Sequence, residues 1–113
     1  MTTSVSSELA VEHDVINPAT AEVVTTLRLT DLHETEVAID RAAKTFESWR
    51  AVAPADRGRL LRRFADAVDS ASEELALLEV ANSGHTIGNA RWEVGNVRDV
   101  LTYFSAAPER MFG

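Results

Sequence analysis

The chain has 113 residues, of which 45% are hydrophobic and 26% charged, a composition typical of one small globular domain. Its formal net charge of -7 argues against a nucleic-acid-binding surface, and its apolar runs fall short of the ~20 residues that a membrane span requires. Because the sequence contains no cysteine, disulfides, thiolate metal sites and a cysteine nucleophile are excluded.

The N-terminus is polar and rich in serine and threonine. Residues 1–8 are predicted to form a disordered tail, and residues 9–113 the folded segment. The tail has neither the charged leader nor the apolar stretch of a signal peptide, so we expect a cytoplasmic protein.

A strand pair is predicted after the tail. Leu9, Val11 and Val15 alternate along the chain with His13 on the same face, which is typical of a half-buried strand. Proline and asparagine at residues 17–18 end this strand, since proline has no amide hydrogen to donate. Residues 23–29 are rich in β-branched side chains and predict the second strand of a hairpin.

Two helices are predicted next. Asp31 and Glu34 have the spacing of a capping box, so the first helix begins there, and it should end near Ala51. Pro54 suits the first turn of the second helix, where Asp56 is favourable beside the positive end of the helix dipole.

A third and a fourth helix follow. Ser70 and Glu73 repeat the capping-box spacing and predict the start of the third, which should end at Gly84 in a left-handed conformation. Gly88 and Gly95 lie inside the fourth helix, either because a neighbouring backbone approaches closely or because they are merely tolerated.

Each helix has an apolar face that recurs at three and four residues, which predicts burial. These faces are Ile39, Ala42, Phe46 and Trp49; Leu60, Leu61, Phe64 and Val68; Leu75 and Leu78; and Ile87, Ala90, Val94, Val97, Leu101 and Phe104. The basic run at residues 57–63 is predicted to lie on the solvent-exposed face of the second helix. The sequence therefore predicts an α+β fold in which a β-hairpin precedes four α-helices.

The residue types that carry chemistry are scattered. His13, His33 and His85 lack the spacing of metal ligands and are expected to be exposed or satisfied. The Ser83–His85 triplet is better explained by a loop than by a nucleophile and its base.

The acidic residues and the glycines give no stronger signal. Glu73, Glu74 and Glu79 fit a solvated helix face, and no G-x-G-x-x-G turn follows a strand. No catalytic, cofactor-binding or metal-ligating residue is therefore assigned to this chain.

Five ordered motifs nevertheless resemble one enzyme family. They are N-P-A-T-A-E-V at 17–23, F-E-S-W-R at 46–50, P-A-D-R-G-R-L-L-R-R at 54–63, E-E-L-A-L-L-E at 73–79 and A-R-W-E-V at 90–94. Together they are similar to the opening segment of NAD(P)-dependent aldehyde dehydrogenases, with Ala21 where the family has glycine. In that family this segment forms outer helices and an edge hairpin of the α/β NAD-binding domain.

The resemblance implies a function that this segment does not perform alone. In the family, a cysteine attacks the aldehyde, hydride passes to NAD or NADP, and a glutamate activates water, and these residues lie downstream of the matched segment. We therefore expect an inactive N-terminal fragment that associates with a complementary dehydrogenase segment or with itself. The alternative is a non-enzymatic helical interaction module derived from the same family.

The departures from the family fall in one loop. His85 and Thr86 replace a usual Lys-Pro, and Asn82 stands where many members have aspartate. Some members bind a monovalent cation through that aspartate and the carbonyls that correspond to Val15 and Ile16. Losing the carboxylate weakens such a site, so none is assigned.

Overall fold

The computed structural model describes residues 11–111 and confirms the predicted order of elements. These are β1 (Glu12–Ile16), β2 (Val23–Arg28), α1 (Leu32–Ala51), α2 (Pro54–Ser70), α3 (Ser72–Ser83) and α4 (Ile87–Phe104), followed by a short 3-10 helix (Ala107–Glu109). The predicted tail at residues 1–8 and the predicted strand residue Leu9 lie outside the described residues.

The hairpin forms as predicted. β1 pairs antiparallel with β2, and the register shifts between Val15 and Ile16, which marks a bulge. The turn is closed by the backbone N–H of Asn17, which donates to the backbone carbonyl of Glu22 at 2.9 Å. Ala21 has a φ of 60°, a left-handed conformation that costs a non-glycine residue about 1–2 kcal/mol, which explains why glycine suits this position.

The predicted capping box at the start of α1 is confirmed. The Glu34 amide donates to Asp31 Oδ1 at 2.7 Å, and the Asp31 amide donates to Glu34 Oε2 at 3.1 Å. Arg28 of β2 also donates to the Glu34 carboxylate. That bond, and next the Asp31 amide, lower the pKa of Glu34, so one carboxylate both caps α1 and ties it to the hairpin.

The predicted capping box at the start of α3 is wrong. Ser70 is still the last residue of α2, and its hydroxyl donates back to the Asp66 carbonyl at 2.8 Å. Ala71 precedes α3 and gives it no side-chain cap, because one residue is too short a connection to free Ser70 from α2. The end of α3 is as predicted, since Gly84 has a φ of 76°.

Small residues form the buried interior. They are Gly58, Ala65 and Val68 of α2, Ala76 of α3, Ala90 of α4, and Ser105. A Cβ atom on Gly58 would lie 2.5 Å from the Ser105 carbonyl oxygen, so α2 and the end of α4 approach to backbone distance. Gly88 and Gly95 meet no neighbouring backbone within 4 Å, so tolerance explains both.

Most of the predicted apolar faces are not buried, which corrects the prediction from periodicity. Val68 and Ala90 are buried, and Leu61, Val94 and Leu101 are half-buried. The remaining predicted core residues are exposed: Ile39, Ala42, Phe46, Trp49, Leu60, Phe64, Leu75, Leu78, Ile87, Val97 and Phe104. Periodicity indicates which side chains share a face, but burial also requires an element to cover that face.

The chain is correspondingly open. Its accessible surface is 9201 Å², whereas a compact monomer of 12.3 kDa exposes about 6,100 Å². Its radius of gyration is 19.7 Å, against about 13 Å for a compact domain of this length. Among residues 11–111, no helix has both the length and the apolar character needed to cross a bilayer.

The close approach of α2 to α4 can be tested with two glycine substitutions. Gly58→Ala should destabilise the helices by about 1–3 kcal/mol, because the added methyl group collides with the backbone at Ser105. Gly95→Ala, whose Cβ would meet only a guanidinium nitrogen at 3.9 Å, should stabilise them by about 0.5–1 kcal/mol. Urea unfolding followed by circular dichroism measures both changes, and equal effects at the two positions would contradict the packing described.

Candidate functional site

The longest helix has an uncovered apolar stripe. No residue of α1 is buried, and only Glu34 is even half-buried. We define the α1 stripe as Ile39, Ala42, Phe46 and Trp49, in which the three large side chains are 63%, 56% and 38% exposed in chain order. A helix of this length whose apolar stripe faces solvent needs another surface to cover it.

A second apolar surface lies between α3 and α4. We define the α3–α4 groove as the depression of about 390 Å³ that is lined by Val68, Leu75, Glu79, Ala90, Glu93, Val94 and Val97. Its walls are aliphatic except for the two carboxylates. The groove and the α1 stripe are both apolar surfaces, and apolar burial imposes little directional geometry on whatever covers such a surface.

Ion pairs hold α4 against its neighbours. Arg91 donates twice to the Glu73 carboxylate, at 2.9 and 2.6 Å, and this bond lowers the pKa of Glu73. Arg98 donates to Asp69 of α2 at 2.8 Å and to Asp99 at 2.9 Å, which raises the pKa of the guanidinium. Exposed pairs of this kind contribute little to stability, and here they link α4 to α2 and to α3.

The structure also brings together polar residues that sequence spacing kept apart. Ligand atoms of Glu79, His85 and Glu93 all lie within 4.8 Å of one another, and all three side chains are half-buried. His13 and His33 are exposed, as predicted for isolated histidines. The chain reverses at Gly84, which places the last turn of α3 beside the first turns of α4. Spacing along the sequence does not show this proximity.

The Ser83 hydroxyl bonds to Glu79 and not to the neighbouring imidazole. It donates to the Glu79 carbonyl at 2.9 Å and to Glu79 Oε1 at 2.7 Å. None of the hydrogen bonds formed within residues 11–111 joins Ser83 to His85. Ser83 is the last residue of α3, so the interpretation of this triplet as a loop holds for Gly84 and His85 only.

The hairpin and the loop after α3 meet. A Cβ atom on Gly84 would lie 2.8 Å from Pro18 Cγ, so the turn that follows β1 packs against the residue that ends α3. Glycine is needed at this point for its left-handed φ and also for space. The motif at residues 17–23 therefore packs against the predicted end of α3 at Gly84.

Comparison with known protein families shows which family this chain is part of. The model of the aldehyde dehydrogenase family matches residues 5–113. The chain belongs to the aldehyde dehydrogenase family. The resemblance seen in the ordered motifs is thereby confirmed, and the match covers nearly the whole sequence.

Curated relatives share about a third of their residues with this chain. Malonate-semialdehyde dehydrogenase 1 of Shouchella clausii is 31% identical over 109 residues, which is 96% of this chain and 22% of the relative. Malonate-semialdehyde dehydrogenase of Bacillus subtilis subsp. natto is 34% identical over 100 residues, 88% of this chain and 20% of the relative. The chain thus spans about a fifth of the length of these relatives.

A solved structure shows the same arrangement of elements. Betaine aldehyde dehydrogenase of Staphylococcus aureus, determined in complex with NAD+, superposes with a TM-score of 0.82 at 31% identity. The superposition covers 85% of this chain and 20% of that one. The predicted fold, an N-terminal part of the NAD-binding region of aldehyde dehydrogenases, is confirmed.

The uncovered α1 stripe should make the chain self-associate. We expect the purified chain to scatter light as an oligomer and to bind a hydrophobic dye, because large exposed apolar patches favour association. Phe46→Glu should reduce both signals, since it places a charge in the middle of the stripe. Lys44→Glu, an exposed position of the same helix outside the stripe, is the matched control and should not reduce them. A monomeric chain that binds no dye would contradict this expectation.

Proposed function

We propose that this chain supplies the N-terminal, non-catalytic segment of an aldehyde dehydrogenase that oxidises an aldehyde to a carboxylic acid with NAD or NADP in the cytoplasm. One observation carries the proposal. The chain has the same fold as a fifth of a family member, yet it leaves the large apolar residues of its own motifs, such as Phe46 and Trp49, uncovered. Such residues are explained if a further polypeptide packs on them.

The chemistry in this proposal belongs to the complementary segment. The chain has no cysteine to attack an aldehyde and no glycine-rich turn to cradle a dinucleotide phosphate. We therefore assign it no catalytic and no cofactor-binding residue. Binding of NAD or NADP and formation of the acid depend on the rest of the enzyme.

The role of the chain's own residues is to hold two surfaces in a fixed arrangement. Arg28 and Glu34 connect the hairpin to α1, and Arg91 and Arg98 connect α4 to α3 and α2. In this proposal, these polar contacts orient the helices, and burial of the α1 stripe supplies the affinity for the complementary segment. Each large side chain of the α1 stripe would gain about 1.5–3 kcal/mol when it is covered.

A second candidate function is a non-enzymatic interaction module. It is favoured by the close packing of α2, α3 and α4 through Gly58, Ala65, Ala76 and Ala90, which gives the helical part an interior of its own. In that case the α3–α4 groove would receive a partner outside the dehydrogenase family. The two candidates differ in whether a dehydrogenase segment restores turnover.

Complementation tests the proposal. The chain is mixed with malonate-semialdehyde dehydrogenase of Bacillus subtilis subsp. natto from which the segment matched here has been removed, and reduction of NAD is followed with malonate semialdehyde. We expect no turnover from either part alone and turnover from the mixture. In the mixture, Phe46→Glu should lower turnover about tenfold or more through loss of apolar burial, while Lys44→Glu should leave it unchanged.

Two outcomes would contradict the proposal. Aldehyde-dependent reduction of NAD by the chain alone would show that it carries the chemistry itself. A stable complex without turnover, insensitive to Phe46→Glu, would favour the interaction module. Calorimetry provides a separate check, since the chain alone should bind NAD no more tightly than about 100 μM, equivalent to roughly -5.5 kcal/mol.

A further inference from the structure

Three side chains from different parts of the chain converge where α3 turns into α4. Glu79 lies in the last turns of α3, His85 in the loop that follows, and Glu93 in the second turn of α4. Their ligand atoms lie within 4.8 Å of one another, and His85 Nε2 is 3.8 Å from Glu93 Oε1. The three residues thus present one nitrogen and two carboxylate groups to a common point.

The charges at this point are not balanced by a basic side chain. Among residues 11–111, the arginines that form ion pairs with carboxylates use other partners, namely Glu34, Glu47, Asp56, Glu73, Asp69 and Asp99. Glu79 and Glu93 therefore lie close to each other beside the His85 imidazole. A cation placed between them would replace repulsion with attraction.

The ligand types indicate which cation fits. Imidazole nitrogen is a preferred ligand of zinc and neighbouring transition metals, whereas calcium and magnesium prefer oxygen alone. Tetrahedral zinc, with ligands at about 2.0–2.1 Å, requires ligand atoms about 3.4 Å apart. The spacing of 3.8 Å between His85 and Glu93 is close to that value, and all three ligand atoms lie within 4.8 Å of one another before any metal draws them together.

A neighbouring hydroxyl orients one of the ligands. Ser83 Oγ donates to Glu79 Oε1 at 2.7 Å, which leaves the other carboxylate oxygen available to a metal. Hydrogen bonds that fix a ligating carboxylate are a regular feature of protein metal sites.

We propose that Glu79, His85 and Glu93 bind one divalent transition-metal cation of the zinc type, with water as the fourth ligand. The cation joins the end of α3 to the beginning of α4 and so stabilises the chain reversal at Gly84. This site is independent of the proposed function, because it requires neither a dehydrogenase segment nor a dinucleotide.

The test is titration of the 113-residue chain with Zn²⁺ by calorimetry and with Co²⁺ by visible absorption. We expect one equivalent of metal to bind, with the intense d–d bands of tetrahedral cobalt. Binding should weaken as the pH falls, because protons compete with the metal for the ligand atoms. The melting temperature should rise with the concentration of Zn²⁺, since metal binds the folded reversal.

Matched variants separate this site from weak binding by surface acids. His85→Ala and His85→Lys should each reduce the affinity for Zn²⁺ about tenfold or more and abolish the cobalt bands, and Glu93→Gln should do the same. His33→Ala and Glu74→Gln, which alter an exposed histidine and an exposed carboxylate elsewhere, should leave both readouts unchanged. Circular dichroism checks that each variant keeps its helices.

Either of two results would overturn the proposal. One is an affinity for Zn²⁺ that is the same in His85→Ala as in His33→Ala. The other is a wild-type chain that binds no cobalt in tetrahedral geometry and shows no rise in melting temperature with Zn²⁺.

Discussion

The contact of α4 with α2 and α3 is the interaction on which the rest of this structure depends. It is made by small residues, above all Gly58, Ala65, Ala76 and Ala90, and it brings α2 to backbone distance from Ser105. Small side chains allow helices to approach closely, but they bury little apolar area in doing so. The helices therefore pack closely, but the contact gains little stability from apolar burial. Val68 is buried and Leu61, Val94 and Leu101 are half-buried, whereas large residues such as Phe64 and Phe104 remain exposed.

This division of residues accounts for the open shape of the chain. α1 is joined to the hairpin through Arg28 and Glu34, yet its apolar stripe lies in solvent. The same segment occurs within a much longer enzyme in Staphylococcus aureus betaine aldehyde dehydrogenase, of which it matches 20%. The proposed role as one segment of a larger assembly is consistent with this combination of a thin packed interior and an uncovered apolar stripe.

Local chemistry was predictable from the sequence, whereas packing was not. The capping box at Asp31, the start of α2 at Pro54 and the left-handed Gly84 all follow from backbone hydrogen bonding, and the structure has each of them. The burial of Phe46 was wrong, because periodicity marks an apolar face without showing what covers it. The cap at Ser70 was wrong because a one-residue connection keeps that serine helical. The convergence of Glu79, His85 and Glu93 depends on the pairing of α3 with α4, which no local pattern encodes.

Among residues 11–111, no element buries a residue of α1, whereas α2, α3 and α4 bury residues against one another. Amide hydrogen exchange measures this directly, because protection reports the free energy of opening each helix. We expect amides of α1 to exchange nearly as fast as in an unfolded peptide, while amides in the buried stretch of α4 around Ala90 are protected. Concentrations low enough to prevent self-association are required, since association would cover the stripe. Equal protection of α1 and α4 in the monomer would show that α1 is covered as well as α4 is.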